Sequence, residues 1–93
     1  MNKLENLKEI IRHELIGLNV LVHSSTNKYQ KGIKGVVIDE TYNLLIIETK
    51  KGIKKVLKKD CVFVFDFKGY KVKVDGKLLI GRPVDRIKKK LPC

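Results

Sequence analysis

Apolar residues near the N-terminus recur at the spacing of a helix. The repeat consists of Leu4, Leu7, Ile10, Ile11 and Leu15. This spacing predicts an amphipathic helix over residues 3–15, and Gly17 stands where a helix C-cap is favoured. The apolar stripe could pack on its own domain or on another protein, and the sequence leaves both possibilities open.

From Asn19 onward the apolar residues alternate with polar ones, which is the period of a β-strand. The predicted strands cover residues 20–23, 33–39, 44–49, 53–57, 62–67 and 70–74, with Leu78-Leu79 beyond a further turn. Turn residues separate these runs at short intervals, and Asp75-Gly76 is typical of a tight hairpin. Six or seven short strands with no helix between them predict an all-β fold, a small antiparallel barrel.

The chain of 93 residues is long enough for one domain. We expect a helical N-terminal extension over 1–17, the barrel over 18–80 and a basic C-terminal helix or tail over 81–93. Pro83 suits the first turn of that last helix, because proline fits the start of a helix and not its interior.

Apolar runs are short, with LLII and CVFVF the longest, where a bilayer requires about 20 apolar residues. The chain shows no secretory signal pattern, and its two cysteines, Cys61 and Cys93, form no C-x-x-C motif. We therefore expect a cytosolic protein without a disulfide framework, in which Cys61 is a buried thiol.

Charge changes the picture more than composition does. Residues 1–49 hold six basic and six acidic side chains, whereas residues 50–93 hold fifteen basic and four acidic ones, so the second half carries the whole net charge of +11. A one-sided positive field of this size favours a polyanionic partner, and nucleic acid is the commonest. A basic surface that serves only solubility is the alternative.

The basic residues fall into two clusters and one loop. The candidate RNA-binding residues are Lys50, Lys51, Lys54, Lys55, Lys58 and Lys59 in the run KKGIKKVLKK, Arg82, Arg86, Lys88 and Lys89 near the C-terminus, and Lys31, Lys34 and Tyr29 in and after the loop TNKYQKG. Lysine contacts phosphates without reading bases, so the run favours backbone-directed binding. A solvated edge strand and a structural ion pair of Asp85 are the competing interpretations of the two clusters.

Asp39-Glu40 lies between two apolar runs and raises the question of a metal site. A magnesium site would need further oxygen ligands, and the nearest acidic residues show no motif spacing. We therefore predict that DETY is the reversal of a hairpin, with an RNA-facing or partner-facing loop as the alternative.

Catalytic constellations are absent from the sequence. His13 and His23 have no cysteine or histidine neighbour at ligand spacing, and no phosphate-binding glycine loop is present. No base, nucleophile and orienting group are spaced to act together. We expect no catalytic residue and no metal or cofactor bound by this chain.

Three segments carry a resemblance to a known family. HELIGLNVLV at 13–22, GIKGVVIDETYNLLII at 32–47 and LLIGRPVDRIKK at 78–89 resemble the Sm-like barrel subunit of archaeal ribonuclease P, a relative of the eukaryotic twenty-nine-kilodalton subunit. The likeness covers nearly the whole chain in order. Val84 departs from it, because the family often carries an acidic residue in that position of its RPEDR-like segment.

This resemblance implies a fold and a role. The fold is a six-stranded, strongly twisted antiparallel barrel with helical extensions at the termini. The role is that of an RNA-binding subunit that helps a catalytic RNA to remove the 5′ leader from precursor tRNA, so that magnesium is expected on the RNA. It implies a zinc-ribbon protein partner and the specificity domain of the RNA, and it makes Leu4, Leu7, Ile10 and Ile11 candidates for the protein interface.

Two other functions fit the charge and size alone: an SH3-like RNA-binding protein of the ribosomal type, and a protein-binding adaptor barrel. A nuclease that acts without RNA fits least. If the lysine run binds RNA, replacing Lys54, Lys55, Lys58 and Lys59 by alanine is expected to weaken RNA binding and leave the fold intact.

Overall fold

A computed structural model describes residues 3–81 of the chain, with side chains from Leu7 onward. Its elements, in chain order, are α1 (Lys3–Ile11), β1 (Asn19–Ser25), β2 (Lys34–Glu40), β3 (Leu44–Thr49), β4 (Gly52–Leu57), a first 3₁₀ helix (Lys58–Asp60), β5 (Cys61–Phe67), β6 (Tyr70–Asp75) and a second 3₁₀ helix (Gly76–Leu79). The predicted C-terminal helix lies outside the described residues.

The six strands form one antiparallel sheet in the order β4-β3-β2-β1-β5-β6. The pairing register shifts between Val22 and Ser24 in β1 and between Val37 and Asp39 in β2. Such bulges increase the right-handed twist of a sheet, which lets a short sheet curl. The prediction of a twisted six-stranded antiparallel barrel is confirmed.

All six strands contribute to a single apolar core. The buried strand residues are Val20, Val22, Val37, Leu45, Ile47, Val56, Cys61, Phe63, Phe65, Phe67, Val72 and Val74. In β1, β3, β5 and β6 they alternate with more exposed residues, as the period of two predicts, whereas β2 and β4 each contribute one buried apolar residue. Because strands at both ends of the sheet reach the same core, the sheet wraps around it. The predictions that the three phenylalanines share one apolar face and that Cys61 is buried are confirmed.

The hairpin predicted at Asp75-Gly76 is wrong. The Asp75 carboxylate accepts a hydrogen bond from the Lys77 backbone N–H at 3.0 Å and caps the second 3₁₀ helix, so Leu78-Leu79 do not form a strand. A Cβ on Gly76 would lie 1.8 Å from the Lys58 carbonyl oxygen. The glycine is therefore required by the close approach of the two 3₁₀ helices and not by a hairpin turn.

The N-terminal helix is shorter than its apolar repeat predicts. It ends at Ile11. Beyond that point the Arg12 and His13 N–H groups donate hydrogen bonds to the carbonyl oxygens of Glu9 and Ile10, three residues earlier in each case. Leu15 is fully buried but lies beyond the helix. Gly17 is not the C-cap: its N–H donates to the Val37 carbonyl oxygen at 2.7 Å, which ties this segment to β2.

Candidate nucleic-acid interface

A depression lies on the outer face of the sheet, opposite the core. Its aliphatic lining residues include Leu21, Val36, Ile53 and Val64, and its basic lining residues are Lys31, Lys34, Lys50, Lys51, Lys54 and Lys71. We call this surface the outer depression. The strand residues among these come from five different strands, so the fold assembles a site that no single segment of sequence contains.

The strand register fixes how the aliphatic residues lie. Leu21 is paired with Val64 on one side and with Lys34 on the other. In the next row, Glu48 is paired with Val36 and with Ile53. Leu21, Val36 and Val64 are half-buried, and Ile53 is 58% exposed. The sheet thus presents a small apolar area with a lysine at its side and a carboxylate within it.

A tight turn joins β3 to β4 and presents two of the lysines. Thr49 is paired with Gly52, so Lys50 and Lys51 form the whole loop. The Thr49 hydroxyl donates to the Gly52 carbonyl oxygen at 2.8 Å and accepts from the Lys51 N–H at 3.1 Å. Gly52 has a φ of +120°, which other residues rarely adopt. The two ammonium groups therefore project from a well-fixed backbone.

The loop between β1 and β2 presents Tyr29 to solvent. The Asn27 side chain accepts a hydrogen bond from the Tyr29 N–H at 3.0 Å, and the Asn27 carbonyl oxygen accepts from the Gln30 N–H at 2.9 Å. The Tyr29 side chain is 82% exposed, and the Lys28 ammonium lies 5.3 Å from the centre of its ring. An exposed aromatic ring beside lysines is suited to stack on a nucleic-acid base.

Positive charge dominates the outer depression. Six lysines line it, against the two carboxylates of Glu48 and Asp66. Among the described residues, the one ion pair within this set joins Lys71 to Asp66, with 2.5 Å between nitrogen and oxygen. Such a surface attracts phosphates.

The predicted RNA-binding residues do not all lie together. Tyr29, Lys31, Lys34, Lys50, Lys51 and Lys54 line the outer depression. Lys55 and Lys59 are exposed but lie outside its lining. Arg82, Arg86, Lys88 and Lys89 lie outside the described residues.

Lys58 was expected to contact RNA, and the structure corrects this. Its side chain is fully buried, and its Nζ donates to Glu40 Oε2 at 2.7 Å. The same ammonium donates to the backbone carbonyl oxygens of Thr41 at 2.8 Å, Tyr42 at 3.3 Å and Gly81 at 2.9 Å. A buried charge is tolerated when it is paired and hydrogen-bonded in this way. This burial argues against the expectation that alanine at Lys58 leaves the fold intact.

Glu40 has a role that the turn interpretation missed. The β2–β3 hairpin is confirmed, but its reversal consists of Thr41–Asn43, held by the Thr41 N–H bonded to the Leu44 carbonyl oxygen at 2.9 Å. Glu40 is the last residue of β2 and is buried against Lys58. The strand period contained the signal: position 58 lies two residues after the buried Val56, on the inward side of the chain.

Lys71, Glu48 and Asp66 were missed as lining residues. In both β5 and β6 the residues alternate between buried and more exposed, so Lys71 and Asp66 could have been placed on the outer face. That they line the same depression as lysines of the basic run could not have been read from the sequence, because it depends on the arrangement of the strands.

The predicted protein interface on α1 is partly used within the domain. Ile10 is fully buried in the core, and Leu7 and Ile11 are partly buried against it. The His13 ring packs edge-on against Phe67, with 5.1 Å between centroids, and Lys68 pairs with Glu9. Ile10 is therefore not available to a partner in this structure, which corrects that expectation. The Leu4 side chain lies outside the described part.

Side chains suited to binding a metal ion do not cluster in the described part of the chain. Within residues 3–81, no three His, Cys, Asp or Glu side chains are grouped to hold a metal ion. No helix in this range is long and apolar enough to cross a membrane. Burial raises the pKa of the Cys61 thiol, as does the Asp60 charge, while a hydrogen bond with Ser25 acts in the opposite direction.

Comparisons with known proteins converge on one family. The family described as ribonuclease P/MRP, subunit p29, matches residues 8–89. Ribonuclease P protein component 1 of Methanocaldococcus jannaschii is 58% identical over 83 residues, which cover 88% of this chain and 87% of that protein. The protein of the same name from Pyrococcus furiosus is 48% identical over 86 residues, 91% of this chain and 68% of that one. The solved structure of Mth11, a homologue of human RNase P protein Rpp29, is 44% identical, with a TM-score of 0.58 over 81% of this chain and 99% of that one.

Proposed function

The chain belongs to the ribonuclease P/MRP subunit p29 family, and from that premise we propose that it is an RNA-binding protein subunit of ribonuclease P. In this role it assists the RNA that removes the 5′ leader of precursor tRNA. The observation that supports this proposal best is the outer depression, which is lined by six lysines from separate strands and loops and by an exposed tyrosine.

The lysines favour contact with phosphates over contact with an acidic protein. Lys50 and Lys51 project from a turn that hydrogen bonds hold, and Lys34 and Lys54 extend from paired strands. This spread of ammonium groups over a fixed surface matches a ligand whose charges repeat along a chain. The protein contributes binding, and the chemistry is assigned to the RNA and its magnesium.

We further propose two partners by the same family likeness: the specificity domain of the ribonuclease P RNA and a zinc-ribbon protein subunit. Leu7 and Ile11 are only partly buried on α1 and remain candidates for the protein contact. Ile10 is excluded from that set by its burial.

The test is a titration of the full chain against ribonuclease P RNA and a control RNA of equal length, with and without the zinc-ribbon subunit. Six or more phosphate contacts should lower the affinity by on the order of 10³-fold between 50 and 200 mM salt, on the scale of duplex DNA. A preference for ribonuclease P RNA that increases with the partner supports the proposal. Equal affinity for ribosomal RNA would favour a ribosomal-type barrel, and binding that ignores salt would favour an adaptor; either result overturns it.

A further inference from the structure

Part of the outer depression is apolar, and this restricts the kind of RNA that it can accept. Leu21 and Val64 are paired neighbours, and Val36 and Ile53 flank Glu48 in the next row. An RNA duplex presents phosphates and ribose hydroxyls on its surface, and these groups need donors or water that aliphatic side chains do not supply. The faces of unpaired bases are apolar, so their contact with such a surface costs little free energy of desolvation.

The positions of the lysines agree with a single strand. Lys34 lies beside Leu21 in the register, and Lys50 and Lys51 form the turn that leads into β4 and Ile53. Phosphates bound to these ammonium groups would leave the attached bases free to turn toward the aliphatic residues. Tyr29, also in the lining, provides an exposed ring on which one further base could stack.

Glu48 is the feature that phosphate binding alone does not explain. Its side chain is exposed and lies among the lysines that line the outer depression. Within the described residues it forms no ion pair. A carboxylate repels phosphates and only accepts hydrogen bonds. The RNA groups that can donate to it are amino and imino groups of bases and the 2′-hydroxyl, and carboxylates accept from base amino groups in known readout.

We propose that the outer depression binds an unpaired segment of RNA with its bases against Leu21, Val36, Ile53 and Val64, and that Glu48 selects a base that carries an amino group. This inference rests on the proposed function, since it specifies the RNA that the same surface takes. It makes Glu48 a specificity-determining residue, whereas the lysines supply affinity without sequence preference.

The test uses the full chain and three RNA probes of about 10 nucleotides, a length within the range that single-strand sites cover. They are a mixed-sequence single strand rich in cytidine and adenosine, the same strand annealed to its complement, and a strand of uridine only. Fluorescence anisotropy at 50 mM salt measures the affinity for each. We expect the mixed single strand to bind on the order of tenfold more tightly than the uridine strand, and more tightly than the duplex.

Two variants and a matched control separate the components. Ile53→Thr should weaken binding of both single strands and leave duplex binding unchanged, while Ile38→Thr, the same exchange at a residue 38% exposed outside the lining, should change neither. Glu48→Ala should abolish the preference for the mixed strand over uridine. Both variants alter exposed side chains, so they should stay folded, which their circular dichroism spectra would show.

Several results would overturn the inference. The duplex could bind as tightly as the single strands. The Glu48→Ala variant could bind all three probes more tightly by the same factor. The protein could bind none of the probes while it still binds ribonuclease P RNA. Each of these leaves the proposed function standing if the preference for ribonuclease P RNA persists. If the three probes bind as expected but the protein shows no preference for ribonuclease P RNA over the control RNA, the proposed function is refuted. The protein would then be a barrel that binds single-stranded RNA.

Discussion

Lys58 Nζ lies 2.7 Å from Glu40 Oε2, and neither side chain is exposed to solvent. The pair joins the end of β2 to the first 3₁₀ helix. The same ammonium also donates to the carbonyl oxygen of Gly81, the residue before Arg82, and so attaches that segment to the pair. One lysine of the basic run is thus part of the interior. The run therefore divides into residues that face solvent and one that holds the fold.

Replacing Lys58 by methionine should destabilise the protein strongly. The variant leaves the Glu40 carboxylate buried without its ammonium, and breaking a buried ion pair in this way typically costs about 3–5 kcal/mol. We expect this loss in the free energy of unfolding, measured by urea denaturation followed by circular dichroism.

The control for Lys58→Met is Lys59→Met, because Lys59 is the next residue and is exposed. It should change the free energy of unfolding by no more than about 0.5 kcal/mol. The double variant Lys58→Met/Glu40→Leu should recover much of the loss, since it removes both buried charges. Equal effects of Lys58→Met and Lys59→Met would show that the buried pair contributes nothing specific.

The strands could be predicted from the sequence because the alternation of apolar residues is a local pattern. The hairpin at Asp75-Gly76 was predicted wrongly from an equally local pattern. Gly76 is needed because its backbone meets that of Lys58, eighteen positions earlier, and turn propensity carries no information about such a contact. The outer depression was found only in part for a similar reason, since Lys31 and Lys71 line the same depression as lysines of the basic run only because of how the chain folds.

Gly76→Ala should destabilise the barrel, although alanine usually loses less backbone conformational entropy on folding than glycine does. The added Cβ would lie 1.8 Å from the Lys58 carbonyl oxygen and 2.8 Å from that of Cys61, so backbone must move. Overpacking typically costs about 1–3 kcal/mol, which exceeds the gain of about 0.4–1 kcal/mol from a stiffer unfolded chain. Urea denaturation measures the difference. The exposed neighbour Lys77→Ala is the control, and a Gly76→Ala variant as stable as that control would refute the close approach.

Cys61 should make the protein less stable as the pH rises. The pKa of its thiol is raised in the folded state, first by burial, whereas an unfolded thiol has a pKa of about 8.5. Above that pH the folded state holds a proton that the unfolded state has lost, so unfolding becomes more favourable with increasing pH. We expect the free energy of unfolding to fall more steeply between pH 8 and 10, roughly the range around that ionisation, in the parent than in Cys61→Ala. Both proteins should carry Cys93→Ser, and equal slopes would contradict the prediction.

Two sets of three lysines test whether RNA binds the outer depression or the exposed lysines outside its lining. Lys34, Lys50 and Lys54 line the depression, whereas Lys55, Lys59 and Lys77 are exposed outside its lining. Each triple replacement by alanine removes the same charge, so the long-range field of the protein changes equally. Only the first set should lose direct phosphate contacts. For single-stranded RNA each contact contributes about 0.7 to the slope of log affinity against log salt, so the first variant should lose about 2 units of slope.

The measurement is the affinity for ribonuclease P RNA between 50 and 200 mM salt, roughly the range over which phosphate contacts are weakened. Because none of the six side chains is buried, both variants should unfold at nearly the urea concentration of the parent, which excludes misfolding as the cause. If the Lys55, Lys59 and Lys77 variant lost as much slope as the other, the phosphates would lie along the solvent-facing part of the run. In that case the outer depression would only be a consequence of the sheet's curvature. The presence of Tyr29 and Glu48 in its lining would then not be related to RNA binding.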